Sequence, residues 1–136
     1  MIVKLAEYLS ACPALDGERV CVNYLDGTVS SVALEASGIK AEVRKYADGG
    51  SLCSEKFLLA LRGAYSKANT INRGAAEKCS SIEKWIEAQN SEGQLTDAGD
   101  GIKVVSLVIS RGFSPVLTGS VDARYEAEIE LLFCRS

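Results

Sequence analysis

The sequence contains no histidine among its 136 residues. This absence excludes Ser-His-Asp triads, Cys-His pairs and His-ligated metal sites, and it removes the commonest general base near neutral pH. What remains is carboxylate, lysine or cysteine chemistry, which needs side chains held at fixed separation or given a shifted pKa. We therefore expect no enzymatic activity, no catalytic residues, no bound metal and no cofactor.

Clustered positive charge and long apolar runs are also missing. The chain has 15 basic and 18 acidic residues, a net charge of −3, and its Lys and Arg residues form no patch of the kind that binds phosphates. Phosphate-binding glycine loops are absent, and residues 97–101 resemble a turn rather than a nucleotide or calcium loop. Residues 1–12 are too short and too polar for a signal peptide or a membrane span. These features predict no specific nucleic-acid binding and no membrane partner.

Cysteine occurs five times, which is an odd number, and the chain has no Cys-x-x-Cys pair. A disulfide framework favours an even count, and a structural zinc site favours close pairs. Most of these cysteines lie on apolar-patterned faces, where a thiol behaves as a small apolar group, so we expect reduced cysteines in a cytosol. The exception is Cys53, which precedes Lys56 on a strand beside an exposed turn and is the one candidate for a reactive thiol.

The apolar fraction of 47% and the charged fraction of 24% are typical of a globular protein. A chain of this length buries roughly two thirds of the surface that its unfolded form exposes, so one core is sufficient. The sequence has no linker, internal repeat or low-complexity tract. We predict a single domain spanning residues 1–136.

Two segments have the apolar periodicity of helices. Apolar residues at positions 2, 5, 6, 9 and 12 predict a short helix that ends at Pro13. A polar break over residues 69–74 precedes a second helix, which starts near Ala75 and ends near Asn90, with Gly93 closing it. Its apolar face is formed by Ala75, Cys79, Ile82 and Ile86.

The remaining segments read as strands. We predict strands over residues 18–25, 28–37, 39–47, 52–65, 102–111 and 121–134. A turn at Asp26-Gly27 follows the first of these strands, and a hairpin turn at Asp48-Gly49-Gly50 follows the third. The last strand alternates strictly between apolar and polar residues, as a strand with one buried and one wet face does. Hairpin connections imply a largely antiparallel sheet with helices packed on one face, an α+β fold.

Two features suggest contacts with other molecules. The segment 112–119 is predicted as a hairpin loop that carries Phe113, Val116 and Leu117, and apolar loop residues either fold back onto the domain or dock on a neighbour. On the last strand Glu126, Glu128 and Glu130 alternate along one face, where they would repel one another and favour water or a wide channel. An ordinary solvated face is the alternative interpretation of these carboxylates.

A family resemblance emerges from four segments taken in order. They are Arg44-Lys-Tyr-Ala-Asp-Gly49, Phe57-Leu-Leu-Ala-Leu-Arg62, Trp85-Ile-Glu-Ala-Gln-Asn90 followed by Gly93 and Leu95, and Ala123-Arg-Tyr-Glu-Ala-Glu-Ile-Glu-Leu-Leu-Phe133. Their succession over residues 40–134 resembles the tail-terminator or tail-completion (minor capsid) proteins of siphovirus-like phages and prophages. Thr96 departs from the family pattern, which often has Pro after the leucine.

The resemblance implies a structural protein of the virion, assembled in the cytoplasm of the bacterial host. Copies of it would close into a ring that caps the tail tube and contacts the head–tail connector proteins, and the resemblance implies that this ring is a hexamer. Phe113, Val116, Leu117 and the loop 91–100 would contact neighbours or the tube, and Glu126, Glu128 and Glu130 would face the lumen. The alternatives are a stand-alone α+β ligand-binding or regulatory module and, after it, an enzyme that uses carboxylates or a cysteine.

Overall fold

The computed structural model describes residues 1–15, 17–23, 32–64, 69–95, 99, 101–118 and 122–135. Within these ranges lie two α-helices, one short 3-10 helix at Pro13–Leu15, and five strands. The elements are, in chain order, α1 (Ile2–Leu9), β1 (Val20–Val22), β2 (Val32–Lys45), β3 (Ser51–Ala64), α2 (Asn69–Glu92), β4 (Ile102–Thr118) and β5 (Asp122–Arg135). The α+β fold predicted from the sequence is confirmed.

One five-stranded sheet has the order β1-β2-β3-β5-β4. The central strands β3 and β5 pair without interruption over fourteen residues, from Ser51↔Arg135 to Ala64↔Asp122. The outer long strands β2 and β4 each contain register shifts against their partners. Strand pairing is therefore regular in the middle of the sheet, between β3 and β5, and irregular where β2 and β4 pair on either side of them.

The core lies between the helices and one face of this sheet. Alternate residues of β3 and β5 point to that face and are less than a tenth exposed: Phe57, Leu59, Leu61, Tyr125, Ile129, Leu131 and Phe133. Leu5 and Leu9 of α1, with Ile82 and Ile86 of α2, complete the same apolar cluster. We call the opposite face of the sheet the outer face; among the described residues no helix packs against it.

Strand β1 is shorter than predicted and pairs in parallel with β2, over Val20–Val22 against Val32–Leu34. Its pairing ends at Asn23, whose φ of 55° is left-handed. The Asn23 amide donates to the Leu34 carbonyl (2.8 Å), and its side-chain oxygen accepts from the Ala36 amide (2.9 Å). The turn predicted at residues 26–27 lies outside the described residues.

The two strands predicted over 28–37 and 39–47 form one continuous strand, β2, from residue 32 onward. An irregularity lies between Ala36 and Lys40, where Gly38 has a φ of +78°. The Ser37 hydroxyl donates to the Lys56 carbonyl (2.6 Å) and accepts from the Ile39 amide (3.2 Å). Because this side chain replaces part of the ladder, the strand continues through a bulge that the sequence pattern reads as a break.

The hairpin turn predicted at residues 48–50 is confirmed. The Tyr46 amide donates to the Gly50 carbonyl (2.7 Å), and the Gly50 amide donates to Asp48 Oδ1 (3.0 Å). Gly49 supplies the positive φ, 94°, that this turn requires.

Helix α2 begins at Asn69, so the prediction of a polar break over residues 69–74 is wrong. It ends at Glu92, and Gly93 follows with a φ of 72°. The Gln94 amide then donates to the Gln89 carbonyl at 3.0 Å, a bond typical of a glycine-terminated helix. Among the described residues no helix is long and apolar enough to cross a membrane.

The predicted loop over residues 112–119 is wrong as well, since β4 continues to Thr118. Beyond Arg111 it pairs with β5 through Ser114↔Glu126, Pro115↔Tyr125 and Leu117↔Arg124, with irregularities between these pairs. The long alternating strand β5 offers partners that draw this Gly- and Pro-containing segment into the sheet. Proline is tolerated there because β4 is an edge strand.

Candidate functional site

The three predicted contact residues Phe113, Val116 and Leu117 all lie in β4. Phe113 is half-buried and packs against the core, so it folds back onto the domain. Val116 is 47% exposed, whereas the side chain of Leu117 lies outside the described part of the chain. Of the three, only Val116 is shown to present apolar surface to solvent.

Exposed apolar side chains concentrate on two opposite sides of the sheet. Seven large apolar residues among those described are more than a third exposed, namely Val3, Ile39, Val43, Tyr46, Val105, Val108 and Val116. Ile39, Val43 and Tyr46 belong to β2 and the turn after it, and we call them the β2 flank. Val105, Val108 and Val116 belong to β4, and we call them the β4 flank. Only Val3, on α1, lies elsewhere.

The β2 flank is positively charged. Residues 40–45 include Lys40, Arg44 and Lys45 against one acidic residue, Glu42, which gives a net charge of +2. All six are exposed, and the one ion pair described for them, Lys40 Nζ to Glu55 Oε1, is long at 3.9 Å. Beyond Leu34 no described strand pairs with the outer side of β2. This flank is therefore an open, basic surface with apolar side chains.

The β4 flank is built jointly by β4 and α2. The Leu107 amide donates to Asn90 Oδ1 (3.0 Å), and the Phe113 amide donates to Glu83 Oε1 (2.7 Å). Glu87 lies four residues after Glu83 and three before Asn90, so it shares their side of the helix and is exposed there.

Negative charge stands on both sides of β4 at this flank. Glu130 pairs directly across from Val108 on β5, while Glu87 stands on the helix side. The last turn of α2 has no basic residue, so the negative end of the helix dipole is uncompensated. The positive neighbour Arg111 is paired across the strands with Glu128.

Both flanks are poorly suited to adding another strand. β2 carries two register shifts and three basic side chains, and β4 carries four register shifts, Pro115 and two amides that already donate to α2. Bulges, charged residues and covered amides are the devices by which natural sheets prevent edge-to-edge pairing. Contacts at the flanks must therefore be made by side chains.

The predicted acidic face is present but is not uniformly negative. Glu126, Glu128 and Glu130 all lie half-buried on the outer face. Arg124 bonds Glu126 Oε2 (2.6 Å) and Glu35 Oε1 (2.7 Å). Burial alone would lower the pKa of Arg124, but its hydrogen bonds to Glu126 and Glu35 outweigh burial and raise the pKa.

A second group of contacts engages Glu128 on the same face. Ser110 Oγ donates to its carboxylate (2.9 Å), and Lys56 Nζ lies 3.5 Å away. The Ser110 hydrogen bond, with smaller help from Lys56 and Arg111, lowers the pKa of Glu128. Arg124 on β5 itself and Lys56 on the neighbouring strand β3 thus relieve the repulsion expected at Glu126 and Glu128.

Two of the five cysteines have a pKa that the fold raises. Burial, and secondarily the charge of Glu83, raise the pKa of Cys79 to about 12, and burial raises the pKa of Cys12. Cys53 is half-buried, and Lys56 cannot activate it because that side chain points to the outer face toward Glu128. Within the described ranges no three His, Cys, Asp or Glu side chains converge as metal ligands would.

A surface groove lies at the end of the sheet that holds the β2–β3 turn. This groove, of about 470 Å³, is open to solvent and lies between the β2–β3 turn and the start of β4; it is lined by Tyr46, Asp48, Ile102, Lys103 and Arg135 among others. The Arg135 guanidinium stacks 5.6 Å from the centre of the Phe133 ring nearby. The described residues form a solvent-open trough here, unlike the enclosed apolar pockets typical of metabolite sites.

The segments that carry the family resemblance have identifiable structural roles. Tyr46, Asp48 and Gly49 make the β2–β3 turn, and Trp85 packs against Tyr8 of α1 with ring centres 5.4 Å apart. Asn90 holds β4 through its amide contact. The chain matches no protein-family model and no curated protein sequence.

Proposed function

We propose that this chain is a structural subunit of a phage or prophage tail, a tail terminator whose copies close into a ring at the head-proximal end of the tail tube. The observation that carries the proposal is the placement of exposed apolar side chains on two different, opposite sides of one sheet, with only Val3 elsewhere among those described. A ring needs two unlike complementary surfaces on opposite sides of each subunit. The order of sequence segments over residues 40–134 supplies the phage context.

In this proposal the tube protein and the head–tail connector contact the two ends of the ring, and the outer face borders the lumen. Glu126, Glu128 and Glu130 would then face passing DNA. Because Arg124, Lys56 and Ser110 engage two of these carboxylates, the lining would repel DNA only weakly. Reversing all three charges should impair DNA passage and infectivity, and unchanged infectivity would exclude a lumen role for this face.

Electron microscopy of the purified protein with tail tubes of the phage that encodes it tests the proposal. We expect ring-shaped density at one end of each tube and none along its wall. Tubes that keep bare ends at saturating protein would refute a terminator role. Head-completion genes on one side of the coding sequence and a major tail protein gene on the other would support it independently.

A ligand-binding module remains the second candidate, and the observation that favours it is the groove beside Tyr46 and Arg135. Such a module would hold a small molecule in that groove. Native mass spectrometry of the protein as purified would then show a bound ligand, whereas the tail-terminator proposal expects only the mass of the chain or of its oligomers, with no added ligand.

A further inference from the structure

We propose that the β2 flank of one copy packs against the β4 flank of the next copy, through side chains and without continuing the sheet. The inference rests on the proposed assembly role and adds to it which surfaces meet. β2 and β4 lie toward opposite sides of the sheet, so a contact between them repeats head to tail and closes only by rotation.

Apolar matching is the first argument. Ile39 and Val43 are 52% and 57% exposed, and on the other flank Val105 and Val108 are 44% and 40% exposed. Each flank is a small patch of branched apolar side chains, whose contact with water is unfavourable. Covering one flank with the other removes both sets from water in a single contact.

Charge is the second argument for a second copy as the occupant. The β2 flank carries the net charge of +2 over residues 40–45, whereas Glu130 pairs across from Val108 of β4, and Glu87 and the uncompensated end of α2 lie on the helix side of the same strand. A β2 flank facing another β2 flank, by contrast, would bring together like charges. The heterologous pairing is therefore favoured over a two-fold dimer.

The features that hinder strand addition at β2 and β4 determine the kind of contact. Leu107 and Phe113 already donate their amides to α2, and Pro115 has no amide hydrogen. On the opposite side, the bulges around Gly38 and Val43 interrupt the regular ladder. Strand addition would require these features to be undone, whereas side-chain packing uses them as they are.

Sedimentation of the full chain up to millimolar concentration is the first test. Val43→Asp and Val108→Lys each place in the proposed contact a charge of the same sign as the flank that it would meet, and each should weaken self-association about tenfold or more. Val3→Asp is the matched control, because Val3 is equally exposed (55%) but lies on α1, and it should associate like wild type. Monomeric wild-type protein at every concentration, or equal effects of all three variants, would overturn the inference.

A charge exchange tests the partner surfaces directly. Arg44→Glu with Lys45→Glu makes the β2 flank acidic, and Glu87→Lys with Ser91→Lys makes the helix side of the β4 flank basic. Each double variant alone should be monomeric, because its two flanks then carry the same sign. An equal mixture should associate again, because each flank meets its opposite. Glu92→Lys serves as the control, since Glu92 lies nine residues after Glu83 and so on the other side of α2.

A mixture that stays monomeric while wild type associates would show that other surfaces meet. This result is distinct from failure of the tail-terminator role, which depends on tube ends and not on which flanks touch. Rings on tube ends whose formation is unaffected by Val43→Asp and Val108→Lys would preserve the proposed function and refute this contact.

Discussion

The hydrogen bond between the Phe113 amide and Glu83 shapes the β4 flank, and it can be tested through Gly112. A Cβ built on Gly112 would meet Glu83 Oε1 at 2.9 Å, and the three nearest atoms all belong to Glu83. Gly112→Ala should therefore push the carboxylate away and break its 2.7 Å bond to Phe113. Gly112 does not have a positive φ, so alanine itself is tolerated by the backbone.

The two changes should be strongly non-additive. Glu83→Ala leaves the Phe113 amide without its charged partner and should lower the free energy of unfolding by about 1–3 kcal/mol. Gly112→Ala alone should cost about 1 kcal/mol by displacing the same carboxylate. In the Glu83→Ala background, Gly112→Ala should be neutral or stabilising by up to about 1 kcal/mol, because only the loss of unfolded-chain freedom remains.

Urea unfolding of the four proteins measures this coupling through their transition midpoints at a shared slope. Lys84→Ala, one residue along α2 and exposed, is the control and should change the free energy of unfolding by no more than about 0.5 kcal/mol. If the costs of Glu83→Ala and Gly112→Ala simply add, the two residues act independently, and the described link between α2 and β4 is wrong.

Three further predictions concern the interior and the outer face. Arg124→Met should lower the free energy of unfolding, measured with urea, by about 1–3 kcal/mol, because Glu35 and Glu126 lose their shared partner. Lys56→Met should lower it by no more than about 1 kcal/mol. Equal losses for the two variants would contradict this prediction. Glu128 has a lowered pKa in the fold, so its stabilising contribution is present above the unfolded pKa of 4.5 and is lost as pH falls through the folded pKa. In acid unfolding profiles, Ser110→Ala should make this loss of stability smaller, and an unchanged profile would refute the role of Ser110. Alkylation followed by mass spectrometry should leave Cys12 and Cys79 unmodified in the native protein at neutral pH and modify all five cysteines in denaturant; rapid native labelling of Cys79 would contradict its burial.

Strong local patterns predicted the parts of the fold that depend on one face being buried. The alternation of β5 placed Ile129, Leu131 and Phe133 correctly in the core, and the helix face through Cys79, Ile82 and Ile86 is buried as expected. These predictions succeed because burial of one face imposes the same periodicity over many residues.

The errors lie where tertiary contacts override weak local signals. Gly112 and Pro115 indicated a loop, yet the unbroken partner strand β5 pairs with this segment and α2 supplies acceptors for its amides. Ser37 likewise carries β2 through a bulge at Gly38 that looked like a boundary. Such compensation depends on residues distant in sequence, and composition alone cannot show it.

The candidate surfaces were only partly predictable. Ile39, Ala41 and Val43 alternate with charged residues in the predicted strand 39–47, and the structure leaves all three exposed because β1 ends at Val22 and no described element covers this end. Val105 and Val108 looked like ordinary strand residues until the sheet order placed β4 at an edge. The signal available in the sequence was a local excess of two positive charges over residues 40–45, which is too small to indicate a phosphate-binding patch.

The most direct test of whether this chain acts by joining its two flanks around a tube is to count closed rings at tube ends in electron micrographs. Wild type, Val43→Asp and Val3→Asp are compared side by side. Wild-type and Val3→Asp protein should both leave tube ends capped by closed rings, while tubes with Val43→Asp protein should keep open ends. Closed rings formed equally well by Val43→Asp protein, or bare ends with wild type, would contradict that claim.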